Sequence, residues 1–194
     1  MHIHFSAMEK RDLLKAWSLS SVAFAIAMTG LNASLVYAIP IALVTGGIGI
    51  LLHELMHKIV AGRFGIHAEF RSFDTMLMVS VFASLLGVVV LAPGAVFFGA
   101  VHVDHRKNGI IAWAGPVTNL FLALLFLPLA LLRLPGLMGA VAALGFSINS
   151  WLGLFNMIPF MGLDGEKVIV WNPKVFWVTI IVGVMLVFSS YYFF

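Results

Sequence analysis

His53-Glu54-Leu55-Met56-His57 interrupts an apolar run that extends from about Ser34 to Val60, and its position there decides how the chain is interpreted. On a helix, an HExxH pentapeptide places its two histidines one turn apart on the same face, so both imidazoles can bind one zinc ion. The adjacent glutamate can act as a general base toward water. Polar side chains in hydrocarbon cost free energy and are retained mainly for function. The run therefore predicts a hydrolytic zinc site inside a membrane.

The composition is that of an integral membrane protein. Of the 194 residues, 62% are hydrophobic and only 10% are charged, and the mean hydropathy is +1.08. A soluble domain of this size does not need so much apolar surface. Cysteine is absent, which excludes disulfides and thiolate metal ligands. The basic residues form no stripe along one face, so we predict no nucleic-acid partner.

Five stretches are long enough to cross a bilayer, since about 20 helical residues span its hydrocarbon core. They are Ala16–Leu31, Leu35–Ile59, Pro116–Leu132, Leu137–Ile158 and Val175–Phe193. We predict an all-α polytopic membrane protein with five to six transmembrane helices. We also predict that residues 1–194 form one membrane-embedded domain, with a catalytic core at about 34–167.

A sixth apolar stretch, Thr75–Ala92, is predicted to return to the side from which it starts. The polar segments that flank it, Arg63–Arg71 and His102–Lys107, are both basic, which places both on the cytoplasmic side. A re-entrant or peripheral hairpin broken at Pro93-Gly94 satisfies that condition, whereas a single crossing does not.

Short β-like runs follow this stretch, at Ala95–Val103 and Gly109–Trp113, and we predict that they form strands beside the site. Non-helical backbone at membrane depth is tolerated only where protein or a water-filled cavity covers it.

The third metal ligand has to come from elsewhere in the chain, because catalytic zinc takes three protein ligands and one open position. Of the eight acidic residues, five lie in the N-terminal tail or in polar connections and Glu54 belongs to the pentapeptide itself, which leaves Asp164 and its neighbour Glu166. Asp164 follows a helix end broken by Pro159, so its carboxylate can turn back toward a metal held by His53 and His57.

Other interpretations of these residues remain open. The two histidines could form a hydrogen-bonded pair without metal, and Asp164 could cap the helix that starts near Gly165. His67 and His102–His105 are rival ligands, although they lie in polar connections where a solvated histidine is the default.

Three groups of residues resemble motifs of one family, the site-2 protease family of intramembrane zinc metalloproteases (peptidase family M50). They are His53–His57, Asn156-x-x-Pro159 with Leu163-Asp164-Gly165, and Gly115-Pro116-Val117-Thr118-Asn119. The third resembles a weaker motif that opens a membrane helix. The resemblance covers the catalytic core, about Ser34 to Lys167, and implies a minimal member without the PDZ or CBS domains of its larger relatives.

The resemblance implies His53, His57 and Asp164 as ligands of one Zn²⁺ per chain, and Glu54 as the catalytic base. It also implies that Asn156 assists near the scissile carbonyl. A structural role for Asn156, in which it binds carbonyls freed by Pro159, is equally open.

The third motif is expected to have a structural role. Its residues Gly115, Pro116 and Asn119 would start a helix and satisfy its first amides.

The predicted function is hydrolysis of peptide bonds within or near transmembrane segments of membrane-protein substrates. The predicted partners are these substrates and the lipid bilayer, in a prokaryotic plasma membrane. Basic clusters at Lys10–Lys15 and Lys58–Arg71 favour a cytoplasmic N-terminus and an active site that opens toward the cytoplasm. The alternatives are a membrane metal transporter and a catalytically silent homologue that binds membrane helices.

Overall fold

The structure is a computed structural model and describes residues 4–90, 92–99 and 103–193. The elements within these ranges are, in chain order, α1 (Ala7–Thr29), α2 (Leu35–Ala42), a π-helical turn (Leu43–Gly47), α3 (Ile48–Arg63), β1 (Ala68–Ser72), α4 (Asp74–Ser84), β2 (Gly94–Phe98), α5 (His105–Leu131), α6 (Gly136–Phe155), α7 (Asp164–Trp171) and α8 (Pro173–Phe193).

Four helical stretches in the described ranges are long and apolar enough to cross a membrane. They are Leu35–Arg63, His105–Leu131, Gly136–Phe155 and Pro173–Tyr192. They correspond to four of the five predicted stretches and confirm the all-α polytopic class. The remaining predicted stretch, Ala16–Leu31, corresponds to α1, which is not among these four. This helix is 23 residues long, but its first half contains the charged residues Glu9, Lys10, Arg11, Asp12 and Lys15.

The stretch Leu35–Arg63 is one helix with a π-helical turn just before the pentapeptide helix. Trp17 of α1 donates from Nε1 to the carbonyl oxygen of Leu43 in this turn, at 3.0 Å. A Cβ at Gly46 would lie 2.8 Å from the ring of Phe24. Glycine therefore allows α1 to pack directly on the turn. π-Helical turns are frequent at functional sites.

The predicted re-entrant segment returns to its starting point. β1 and β2 pair antiparallel with Ser72 opposite Gly94, and the amide of Phe73 donates to the carbonyl of Pro93 at 3.0 Å. Between the strands, α4 has 11 residues, about 16 Å of helix, which is too short to span the hydrocarbon. The hairpin prediction is confirmed.

The strand predictions are half right. β2 confirms the run that begins at Ala95, although residues 100–102 of that run lie outside the described residues. The run Gly109–Trp113 was wrongly predicted as a strand and belongs to α5. Its β-branched side chains suggested extended structure, but Asp104 caps the helix before them by accepting from the amide of Lys107 at 2.8 Å.

A second correction concerns Pro116, which was predicted to begin the third membrane helix. Pro116 was expected near a helix start and instead lies 11 residues beyond the first residue of α5. A proline inside a membrane helix is tolerated because neighbouring groups satisfy the carbonyls that it frees.

The acidic residues Glu9 and Asp12 were assigned to an N-terminal tail from the sequence, but both are buried residues of α1. Glu9 is fully buried and pairs with Lys58 of α3, which is 5% exposed. Glu9 also accepts from the amide of Phe70 at 3.1 Å, and Asp12 accepts from the amide of Ser72 at 3.4 Å. α1 therefore satisfies the outer edge of β1 and fixes the hairpin to the pentapeptide helix.

We predict that Glu9→Gln and Lys58→Met each destabilise the protein by about 3 kcal/mol, because each leaves a buried charge unpaired. The double variant should lose less than the sum of the two. Unfolding of the purified protein in detergent, measured as a double-mutant cycle, checks this. Lys107→Met, at an exposed position, is the control and should change stability by less than about 0.5 kcal/mol. Additive losses at Glu9 and Lys58 would contradict the pairing.

Candidate metal centre

The helix α3 presents both pentapeptide histidines to the protein interior. His53 and His57 are 6% and 7% exposed, and their rings meet edge to face with centroids 4.6 Å apart. Both rings face α5, which runs antiparallel to α3. The same-face arrangement predicted from the spacing is therefore present.

Asp164 is the first residue of α7 and reaches both imidazoles. Its Oδ2 lies 3.1 Å from Nε2 of His53 and 3.2 Å from Nε2 of His57. Leu163 is the N-cap of α7, so the alternative role of Asp164 as a helix cap is wrong.

The residue after Asp164 holds it in place. Gly165 donates from its amide to the carbonyl of Asn156 at 2.8 Å, which joins the start of α7 to the end of α6. A Cβ at Gly165 would collide with the carbonyl oxygen of Met157. The Asp-Gly pair is therefore required by this close approach, because only glycine lets the carboxylate of Asp164 sit beside the histidines.

The three groups form a donor set suited to zinc. Ligand atoms of His53, His57 and Asp164 all lie within 4.8 Å of one another, and two imidazole nitrogens with one carboxylate oxygen are typical zinc ligands. The rival ligands His67 and His105 are not part of this group. The other rival, His102, lies outside the described residues.

Electrostatics favours the ionised form of the Asp164 carboxyl. Burial alone would raise the pKa of Asp164, but the adjacent imidazoles of His57 and His53 outweigh burial and hold this pKa well below its usual range. The carboxylate is the form that can bind a cation.

Paired stripes on the two antiparallel helices surround the histidines. Gly49, His53 and His57 follow one another at four-residue spacing on α3, and Ile111, Gly115 and Asn119 do so on α5. The Nδ1 of His57 donates to the carbonyl of Ile111 at 2.7 Å, and the Nδ1 of His53 donates to Oδ1 of Asn119 at 2.7 Å. With both Nδ1 atoms occupied, both Nε2 atoms face Asp164.

Gly115 clears the space in front of the imidazoles. A Cβ built there would lie 2.5 Å from Nε2 of His53 and 2.6 Å from Cε1 of His57. Sequence reasoning treated Gly115 and Asn119 as parts of a helix start and missed this contact. Their four-residue spacing, equal to that of the two histidines, was the available signal.

Glu54 lines a cavity of about 200 Å³ next to the donor set. Residues from α3, β2, α5, the α6–α7 connection and α7 surround this cavity. Its lining includes His53, His57, Asp164, Pro93, Gly94, Val96, Phe98, Asn108, Asn156 and Lys167. The predicted base and the predicted ligands therefore open onto one space.

Asn156 also lines the cavity and has a structural contact. Its Nδ2 donates to the carbonyl of Leu152 at 2.9 Å, one turn earlier in the chain. Asn156 thus has a structural contact, but with the carbonyl of Leu152, which also accepts from the Asn156 amide, and not with a carbonyl freed by Pro159. The catalytic interpretation stays a prediction.

Sequence reasoning missed Lys167, another cavity residue, whose Nζ lies 4.0 Å from Oδ1 of Asp164. The other acidic candidate, Glu166, is exposed and accepts from the amide of Gly162 at 3.0 Å.

Comparison with known proteins shows that this chain is similar in sequence to proteins named as zinc metalloproteases. It is 38% identical over 185 residues to "Putative zinc metalloprotease MJ0611" of Methanocaldococcus jannaschii, an alignment that covers 94% of this chain and 93% of that protein. It is 36% identical over 124 residues to "Putative zinc metalloprotease Rip3" of Mycobacterium tuberculosis, covering 62% of this chain and 28% of that protein.

A third relative is "Putative zinc metalloprotease Rip2" of Mycolicibacterium smegmatis, which is 33% identical over 130 residues, covering 59% of this chain and 50% of that protein. No family model matches the chain, and no solved structure matches it. These names, together with the donor set, confirm the prediction of zinc.

We predict that Gly115→Ala abolishes stoichiometric zinc binding, because its methyl group would occupy the space beside Nε2 of His53. Metal analysis of the purified protein checks this. Gly99→Ala is the matched control, since the nearest atom to a Cβ there is 3.8 Å away. A Gly115→Ala protein that retains one zinc per chain would show that the imidazoles do not bind the metal in this arrangement.

Proposed function

This chain belongs to the zinc metalloprotease family of MJ0611, and on that premise we propose that it is an intramembrane protease of the site-2 type. Its substrates are membrane proteins, and it hydrolyses peptide bonds within or near their transmembrane segments. The observation that carries the proposal is the position of the donor set and Glu54 between α3 and α5, two helices that are apolar enough to cross a membrane. A protease site at that position meets substrate segments that lie in the bilayer.

The residues of the site divide the chemistry among them. The Nε2 atoms of His53 and His57 and the carboxylate of Asp164 would hold the zinc ion. When bound, zinc supplies Lewis acidity, which polarises the scissile carbonyl and lowers the pKa of a water molecule toward neutrality. Glu54 accepts the proton of the attacking water on its carboxylate and delivers it to the leaving amine as the peptide bond breaks.

Asn156 combines its two predicted roles in this proposal. One hydrogen of its Nδ2 is donated to the carbonyl of Leu152, which fixes the amide at the wall of the cavity. The second hydrogen is available to the scissile carbonyl oxygen, where negative charge develops during attack.

The edge of β2 that faces away from β1 is proposed to hold the substrate in an extended conformation. His67 and Gly99, and Phe73 and Pro93, are hydrogen-bonded pairs. Because such pairs alternate along an antiparallel ladder, the backbone groups of Gly94, Val96 and Phe98 point away from β1. These three residues also line the cavity.

The opposite edge of the sheet is occupied. The outward amides of β1, at Phe70 and Ser72, are bound by Glu9 and Asp12 of α1. Of the two edges, we therefore propose that of β2 as the place where a substrate pairs as an added strand. Pairing there would expose the substrate's carbonyls, which a helix shields with its own hydrogen bonds.

The orientation follows from the basic ends of the helices that carry the site. We propose that Arg63 at the end of α3 and Arg106 and Lys107 at the start of α5 lie on the cytoplasmic side of a prokaryotic plasma membrane. From His57 to Arg63 is about 9 Å along a helix, so the site lies below the cytoplasmic surface and opens toward it. The basic cluster at Lys10–Lys15 is proposed to lie on the same side, so the N-terminus is cytoplasmic as well.

We predict that Glu54→Gln abolishes cleavage of a single-pass membrane-protein substrate and leaves the zinc content unchanged, because the amide cannot accept the proton of water. Asp164→Ala should reduce both cleavage and zinc content, because it removes a ligand. Purified protein, a substrate gel and metal analysis check both expectations.

Glu166→Gln is the control and should retain both properties, since that carboxylate is exposed. Zinc transport into liposomes by a protein that cleaves no membrane substrate would overturn the proposed function in favour of a transporter.

We predict that Val96→Pro raises KM for the same substrate several-fold with a smaller effect on kcat, because proline removes an outward amide and leaves the bonds between β1 and β2 intact. Val96→Ala keeps that amide and is the matched control for loss of the side chain. Equal kinetics for Val96→Pro and Val96→Ala would exclude strand addition at this edge.

A further inference from the structure

Two buried asparagines form a chain of amides that ends at His53. Asn119 of α5 and Asn149 of α6 are both 0% exposed. Asn119 accepts from Nδ1 of His53 at 2.7 Å, and its Nδ2 donates to Oδ1 of Asn149 at 3.1 Å. We propose that this amide relay, defined as Asn119 and Asn149, selects the tautomer of His53 and thereby keeps its Nε2 free for the metal.

The orientation of the Asn119 amide is determined by a backbone carbonyl. Its Nδ2 also donates to the carbonyl of Gly49 at 3.0 Å. A carbonyl oxygen can only accept, so the NH₂ group must face Gly49, and Oδ1 must face His53. An amide that is free to rotate would offer either group to the ring.

The orientation of Asn149 is determined in the same way. Its Nδ2 donates to the carbonyl of Gly145 at 2.9 Å, which leaves its Oδ1 to accept from Asn119. Gly49 permits this close approach, because a Cβ there would collide with Oδ1 of Asn149. The relay therefore connects α6 through α5 to two positions of α3 that are one turn apart, Gly49 and His53.

The consequence for His53 follows from its partner. Because Oδ1 of Asn119 can only accept, Nδ1 of His53 must be protonated. This reserves Nε2, which lies 3.1 Å from Oδ2 of Asp164, for a cation shared with that carboxylate. His57 obtains the same tautomer from the carbonyl of Ile111, a backbone group that no substitution removes. The tautomer of His53 alone depends on side chains, which makes Asn119 and Asn149 positioning residues of the metal centre.

The inference rests on the zinc ligands of the proposed function, and it is tested without substrate. The full-length protein is labelled with ¹⁵N-histidine, purified in detergent micelles and stripped of zinc. Nitrogen chemical shifts then report the tautomer of His53, and competition with a chromophoric chelator gives the zinc dissociation constant. For the unsubstituted protein we expect Nδ1 of His53 to stay fully protonated, with or without a proton shared between its Nε2 and the carboxylate of Asp164, 3.1 Å away.

Asn119→Leu has a similar size and removes the acceptor. We expect it to populate the Nε2–H tautomer of His53 and to weaken zinc binding about 10- to 100-fold, the usual effect of losing an outer partner of a ligating histidine. Asn119→Asp keeps an acceptor toward His53 but loses the donor toward Gly49 and Asn149. It should keep Nδ1 of His53 protonated and bind zinc more tightly than Asn119→Leu. An Asn119→Leu protein in which Nδ1 of His53 stays fully protonated and the zinc affinity is unchanged would overturn the proposal.

Asn149→Leu provides a second test, which also decides the matter if Asn119→Leu does not fold. It leaves Asn119 in contact with His53 but removes one acceptor that orients its amide, so a detectable Nε2–H population and a smaller loss of zinc affinity are expected. Unchanged values for both measurements would overturn the relay.

Ser150→Ala is the matched control for both variants. Ser150 is equally buried on α6, and its hydroxyl donates within its own helix to Phe146 at 2.7 Å. It should leave the tautomer and the zinc affinity unchanged. If the unsubstituted protein cleaves no membrane-protein substrate but the variants change the protonation of His53 as expected, the proposed function is contradicted and the relay still stands.

Discussion

The convergence of two imidazoles and one carboxylate in a buried site is the constraint on which the rest of the structure depends. His53 and Asp164 are 111 residues apart in the chain, yet their polar atoms lie 3.1 Å apart. Polar groups taken out of water cost free energy unless they are paired or bind a metal. Each of the three side chains therefore needs a positioned partner, and the surrounding helices and strands supply these partners.

The helix α5 supplies most of these partners. Its carbonyl at Ile111 binds one histidine, its glycine at 115 clears the space before both, and its amide at Asn119 binds the other. These three positions form a stripe opposite the stripe of Gly49, His53 and His57 on α3. Two antiparallel helices with complementary four-residue spacing thus hold the imidazoles rigidly, so little reorganisation is needed when a cation binds.

The hairpin formed by β1 and β2 is asymmetric, and α1 is the cause. Buried Glu9 connects α1 to Lys58 of α3 and to the outer edge of β1. One edge of the sheet is satisfied in this way, while the other lines the cavity beside Glu54. An unpaired strand edge is a template for pairing with another chain. Among the described residues, the edge of β2 that lines the cavity has no such side-chain partner from α1, which agrees with the proposed binding of an extended substrate.

The sequence by itself determined the features that depend on local spacing and composition. The histidines of the pentapeptide share a helix face because 3.6 residues make a turn, and the apolar stretches are helices because a membrane requires internal hydrogen bonds. Basic flanks predicted the returning segment, and elimination among the few acidic residues left Asp164 and its neighbour Glu166 as candidates for the third ligand. Only the tertiary structure decided which groups meet across helices. Gly109–Trp113 has the composition of a strand but is helical. Glu9 is a buried residue of α1 rather than part of a tail, and Asn119 contacts a histidine 66 residues away. Such contacts depend on the packing of whole helices, which no local pattern encodes.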